Sequence, residues 1–177
     1  MQKVASILCV ILMTISFPDK ALARERSLGA VFSYAGSGLD YVQFADSHHF
    51  YRYQLRVETP DLFWSEDGNA GISASASWNT VFSSIESRNG NRIRFYAGPG
   101  LGIGYSRDLK SMPGVFIGLK GCIGGECSFP RGIALSISIS PMLGGHFSKK
   151  DGMIRMGLHK WGLCYGLMPE AGIRYIF

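Results

Sequence analysis

The chain has 177 residues, 46% of them hydrophobic and 18% charged, with a formal net charge of +5. The charges are scattered and form no run, which argues against a nucleic-acid-binding patch. Beyond the first two dozen residues no apolar stretch is long enough for a helical membrane span, so any insertion into a bilayer must use strands.

The amino-terminal stretch has the features of a secretory leader. Lys3 precedes an apolar run over residues 4–17, and Ala21-Leu22-Ala23 supplies a small-x-small cleavage site. Ser6, Thr14 and Ser16 interrupt the run, which makes it a poor anchor, and Cys9 falls inside it. The expectation is a signal peptide over residues 1–23, cleaved to leave one exported domain over residues 24–177.

Alternation with period two begins at Leu28. Leu28, Ala30, Phe32 and Tyr34 take one face and Gly29, Val31, Ser33 and Ala35 the other, predicting a first strand. Residues 36–49 mix Gly, Asp, Ser and His with aromatics and read as an exposed loop. A second strand over 50–59 sets Tyr51, Tyr53, Leu55 and Val57 against Arg52, Gln54, Arg56 and Glu58. In a soluble sandwich its charged face meets water; in a membrane barrel its apolar face meets lipid and the charged face lines the interior. Periodicity is the same in both cases.

Residues 59–68, with Pro60 and the Phe63-Trp64 pair, read as a turn at a membrane interface. The third strand alternates Ile72, Ala74, Ala76, Trp78, Thr80 and Phe82 with Ser73, Ser75, Ser77 and Asn79, and a crowded interior tolerates such small polar groups. Residues 83–91, with Asn89-Gly90, form the next turn. The fourth strand, 92–105, carries Gly98, Gly100, Gly102 and Gly104 on one parity, leaving room for larger side chains across a narrow barrel. Glycine at every second residue, with no G-x-G-x-x-G and no Walker lysine, is not a nucleotide-binding loop.

A fifth strand spans 115–120. Residues 121–131 read as a turn-rich hairpin bracketed by Cys122 and Cys127, and a sixth strand spans 132–143. The pattern weakens after Gly144-Gly145, with a turn at Lys149-Lys150-Asp151-Gly152 and a mixed seventh strand over 153–161. The last strand covers 163–177, with Tyr165, Leu167, Ala171, Ile173, Tyr175 and Phe177 on one parity and Glu170, Gly172 and Arg174 on the other. Pro99, Pro141 and Pro169 fall inside these strands and predict bulges or portions beyond the hydrogen-bonded belt.

The sum is about eight strands, which predicts an all-β fold, an antiparallel up-and-down transmembrane β-barrel of the smallest size that closes. The final strand, ending on Phe177, resembles the closing strand of bacterial outer-membrane barrels, and the whole pattern resembles the OmpA/OmpX-type eight-stranded barrels. That resemblance implies the bacterial outer membrane, lipopolysaccharide as surrounding lipid, and a C-terminal strand handled by the barrel-assembly machinery. It also implies a passive anchor presenting loops to a ligand that the sequence does not identify. A secreted soluble β-barrel or sandwich binder is an alternative that keeps the strands and reverses their faces.

Arg52, Arg56, Glu58, Arg94, Lys120, Glu170 and Arg174 occupy the inner parity in the barrel reading. Buried charges must pair, so these side chains plug the interior and disfavour a porin. Cys122 and Cys127 flank Ile-Gly-Gly-Glu, and a hairpin there brings them close enough for a disulfide in an oxidising compartment, stiffening a short loop. Cys164 is then a small inward-facing filler. No cysteine has finger-like spacing to another or to His146 or His159, so neither a metal nor a cofactor is expected.

His146-Phe147-Ser148 resembles the His-aromatic-Ser element of outer-membrane lipid A 3-O-deacylases, also small barrels. The resemblance implies His146 as base and Ser148 as nucleophile against a lipid ester, within hydrogen-bond reach of each other and facing outward near the headgroups. The sequence departs from that family after Ser148, where Lys149 and Lys150 replace an Asn and a small residue, and no Glu follows until Glu170. The lipid A esterase is therefore the alternative, and a non-enzymatic barrel the main expectation.

Overall fold

Alternating sequence becomes a closed wall in the computed structural model, which describes residues 25–59, 70–108, 113–150 and 153–177. The leader expected over 1–23, nearly all of the turn expected over 59–68, and Asp151-Gly152 lie outside the described residues. The strands are β1 (Arg26–Ser33), β2 (Gly36–Phe44), β3 (His49–Glu58), β4 (Gly71–Glu86), β5 (Arg92–Arg107), β6 (Pro113–Ser128), β7 (Ile133–Ile139), β8 (Met142–Lys150), β9 (Met153–Leu158) and β10 (Glu170–Ile176). A helix, α1 (Lys160–Gly166), separates the last two.

These segments build a closed antiparallel barrel of eight staves. β7 and β8 are two halves of one stave. β6 pairs with β7 through Ile123–Ser128 and with β8 through Gly114–Lys120, and the stave breaks at Ser140-Pro141. β9 and β10 form the eighth, interrupted by α1. β9 pairs with β8, while β10 closes the ring between β7 and β1, with Glu170 opposite both Ser138 and Ser33.

The apolar parity points outward all round the ring. Tyr51, Tyr53, Leu55 and Val57 of β3, Leu101, Ile103 and Tyr105 of β5, and Leu135 and Ile137 of β7 are all exposed, whereas Arg52, Gln54, Glu58, Arg94, Ser136 and Arg174 are buried inside. Toward the end where β1 begins and β10 finishes, Val42, Phe44, Phe50, Val81, Tyr96 and Cys122 form a small apolar cluster within the ring. The glycines of β5 make room as anticipated: a methyl group at Gly102 would lie 2.7 Å from Met142 Sδ, and one at Gly104 would run into the Phe116 ring. Asn89-Gly90 forms a tight turn, with Gly90 at φ +77 donating its amide to the Ser87 carbonyl.

Several expected boundaries are corrected. Of the exposed loop expected over residues 36–49 only the turn at residues 45–48 remains, because β2 pairs with β1 and β3, from Gly36 opposite Ser33 and Glu58 to Phe44 opposite Phe50. Residues 121–131 are not a hairpin, because β6 runs unbroken to Ser128 opposite Arg92. The prolines fall where a missing N–H is tolerated. Pro141 sits at the β7–β8 break and Pro169 precedes β10. Pro99 faces outward in β5, in a short gap of the pairing with β4 between Ser77↔Gly100 and Thr80↔Ala97, where the register is unchanged.

Residues 160–166 are helical where a strand was expected. Gly162 and Gly166 lie four apart on one face, and a methyl group at either would meet His159 and Met142 or the Pro141 backbone, so two glycines let the helix dock on the broken stave. The Gly166 carbonyl accepts the Ser140 amide at 2.7 Å, which ties the helix end to the same break. At the other end the Asp108 carboxylate accepts the amides of Lys160 (3.2 Å) and Trp161 (2.7 Å), satisfying donors that a helix start leaves open. Tyr165 stacks on Tyr34 of the β1–β2 turn, ring centres 5.4 Å apart, so α1 bridges from β8 to the first hairpin.

Candidate functional site

The barrel interior holds a network of ion pairs drawn from β2, β3, β5, β6 and β10, with Glu25 just before β1. Arg52 of β3 makes a two-pronged contact with Asp40 of β2, Nε to Oδ1 at 2.8 Å and Nη2 to Oδ2 at 3.1 Å. Its Nη1 donates to Ser138 Oγ at 3.0 Å and lies 3.5 Å from Glu170 Oε1. Arg174 of β10 reaches Asp40 and Glu126, and Arg94 of β5 reaches Glu126 at 3.4 Å and Glu25 at 2.7 Å. Glu170 is further engaged by Arg56 and by the hydroxyls of Ser138 and Ser140, both at 2.9 Å, while Glu58 accepts from Ser73.

The seven charged residues assigned to the inner parity therefore all lie in the interior. Sequence reasoning missed Asp40 and Glu126, because each was placed in a loop that is in fact strand. A signal was present: five cations set against only Glu58 and Glu170 is an imbalance that a buried interior does not sustain. With Asp40, Glu126 and Glu25 included, four of the five cations contact a carboxylate. Lys120 is the fifth, donating instead to Gln54 Oε1 at 2.6 Å and Ser75 Oγ at 3.1 Å.

The two cysteines expected to be joined are free. Cys122 is buried and Cys127 turns to the other face of the same strand. Five residues of extended chain separate them by about 16 Å, beyond the roughly 7 Å that a disulfide spans between Cα atoms. Cys164 is no inward filler either, being exposed on α1.

His146 and Ser148 share the inward face of β8, opposite Phe116 and Gly114 of β6. His146 is buried and donates from Nε2 to the Ser106 carbonyl at 3.1 Å. Its ring stacks beside that of His159 at 5.9 Å, and His159 stacks on Phe116 at 4.3 Å. Among the described residues no hydrogen bond joins His146 to Ser148. The outward, mutually bonded pair that the deacylase resemblance requires is not what these strands build, because the outward position between the two belongs to Phe147. Among the described residues no group of three or more His, Cys, Asp or Glu is arranged to hold a metal ion.

No protein-family model matches this chain, and no curated protein or solved structure shows significant similarity to it.

Proposed function

We propose that the protein is a small outer-membrane β-barrel with a plugged, non-porin interior, acting as a membrane anchor that presents its loops to a partner. The observation that carries this reading is the inversion of the ring, with exposed Leu, Ile, Val and aromatic side chains on every stave and paired arginines and carboxylates within. Water does not stabilise an apolar exterior of this extent, whereas a bilayer does. The same inversion argues against the soluble binder, whose apolar face would line the interior. The resemblance of the last strand to barrel-closing strands adds the outer membrane as location, lipopolysaccharide as the surrounding lipid and the barrel-assembly machinery as the insertion partner.

The test is fractionation of cells expressing a tagged chain, with heat-modifiability on a gel. The expected result is recovery with outer membranes, resistance to carbonate extraction, and faster migration of the unheated sample. Recovery in the periplasmic soluble fraction overturns the proposal.

A further inference from the structure

Between the ion-pair network and α1 the barrel holds a cavity of about 70 Å³, several times what a single water needs. Arg56, Lys120, Ser75, Ser106 and Trp161 are among the residues that line it. Of the carboxylates that also border it, Glu170 is held by Arg56, Ser138 and Ser140, and Glu58 accepts from Ser73. Beside them stand donors without acceptors. Arg56 Nε, Trp161 Nε1 and Ser106 Oγ are buried with no hydrogen-bond partner among the described residues. The first two are donors only.

Lys120 adds the charge. It is 8% exposed, its ammonium has three donors, and two of them go to neutral acceptors, Gln54 and Ser75. Among the described residues it has no carboxylate within ion-pair distance, unlike Arg52, Arg56, Arg94 and Arg174. A buried ammonium without a counter-charge is costly, and unmatched buried donors add to that cost.

We infer that this cavity is a binding site for a compact monovalent anion, of halide or formate size, with Lys120 as counter-charge and Arg56 and Trp161 as further donors. The ammonium and the unpartnered donors around it complement a single small negative charge. The site does not depend on the outer-membrane assignment, since it rests on the interior alone.

The test is crystallisation of the refolded chain in sodium bromide, with diffraction data at the bromine absorption edge. The expected result is an anomalous peak in the cavity beside Lys120 Nζ, lost in Lys120→Met and retained in Lys149→Met, which alters an exposed lysine on the outer face of β8. A wild-type cavity without anomalous signal, or a peak that persists in Lys120→Met, overturns the inference. Should Lys120→Met fail to fold, the wild-type chain decides: its thermal midpoint should rise with bromide at constant ionic strength and stay fixed with toluenesulfonate, a far bulkier anion of the same charge. An equal response to both anions also overturns it.

Discussion

Arg52 reaches diagonally across the β2–β3 ladder to Asp40 in a two-pronged contact, both side chains shut off from solvent at 2% and 0% exposure. Asp40 also receives Arg174, so one carboxylate holds two guanidinium groups from strands on either side of the β1 closure. Replacing Asp40 by Ala takes a carboxylate from both arginines, leaving Arg52 with Glu170 and Arg174 with Glu126, and breaking a buried pair in this way costs about 3 to 5 kcal/mol. Urea unfolding of the refolded barrel measures it. The double variant Asp40→Leu with Arg52→Met should lose less than Asp40→Ala alone, because it removes the pair instead of orphaning one side.

Ile137 lies near the middle of the outer belt at 65% exposure, paired with Ala171 and Gly125. In a bilayer, arginine at such a position costs about 2 to 4 kcal/mol. On a soluble protein the same exposed substitution falls within about 0.5 kcal/mol. Folding titrations of Ile137→Arg in phospholipid vesicles separate the two outcomes.

The three cysteines among the described residues should differ in reactivity according to where their strands and helix place them. Cys164, exposed on α1, should react first with a polar maleimide, and Cys122 only after unfolding. Non-reducing peptide mapping of the mature protein should recover Cys122 and Cys127 as separate thiols. A linked peptide would require β6 to unravel.

Asp108 anchors the start of α1 by accepting two backbone amides. Asp108→Ala should cost about 0.5 to 2 kcal/mol, the range for losing a helix-capping acceptor. The local readout is Trp161, which is buried beneath the helix and should move to a wetter environment, with red-shifted fluorescence, while the barrel stays heat-modifiable.

Ser148→Ala should leave the acylation pattern of lipid A in the host unchanged, because His146 spends its Nε2 proton on the Ser106 carbonyl and the pair faces the interior. Mass spectrometry of extracted lipid A checks this. Loss of a deacylated species in the variant would reinstate the esterase.

By itself the sequence determined that the chain is a run of two-faced strands, because side chains in an extended backbone alternate with period two whatever the strand pairs with. It also placed Arg52, Arg94, Lys120 and Arg174 on one parity, and that parity is the interior. Which face turns inward was decided only when the ring closed through β1 and β10, since alternation is identical in a sandwich and in an inverted barrel. Asp40 and Glu126 escaped notice because turn-forming neighbours, Gly36 and Gly38 for one and Gly124 and Gly125 for the other, mark loops in isolation. In the barrel most of these glycines accept the close approach of an adjacent strand's backbone or side chains. The helix at 160–166 was equally hidden. Leu163, Tyr165 and Leu167 alternate well enough for a strand, and only Asp108 at one end and the broken stave at Ser140-Pro141, both distant in sequence, supply the hydrogen bonds and the contact surface that make seven residues helical.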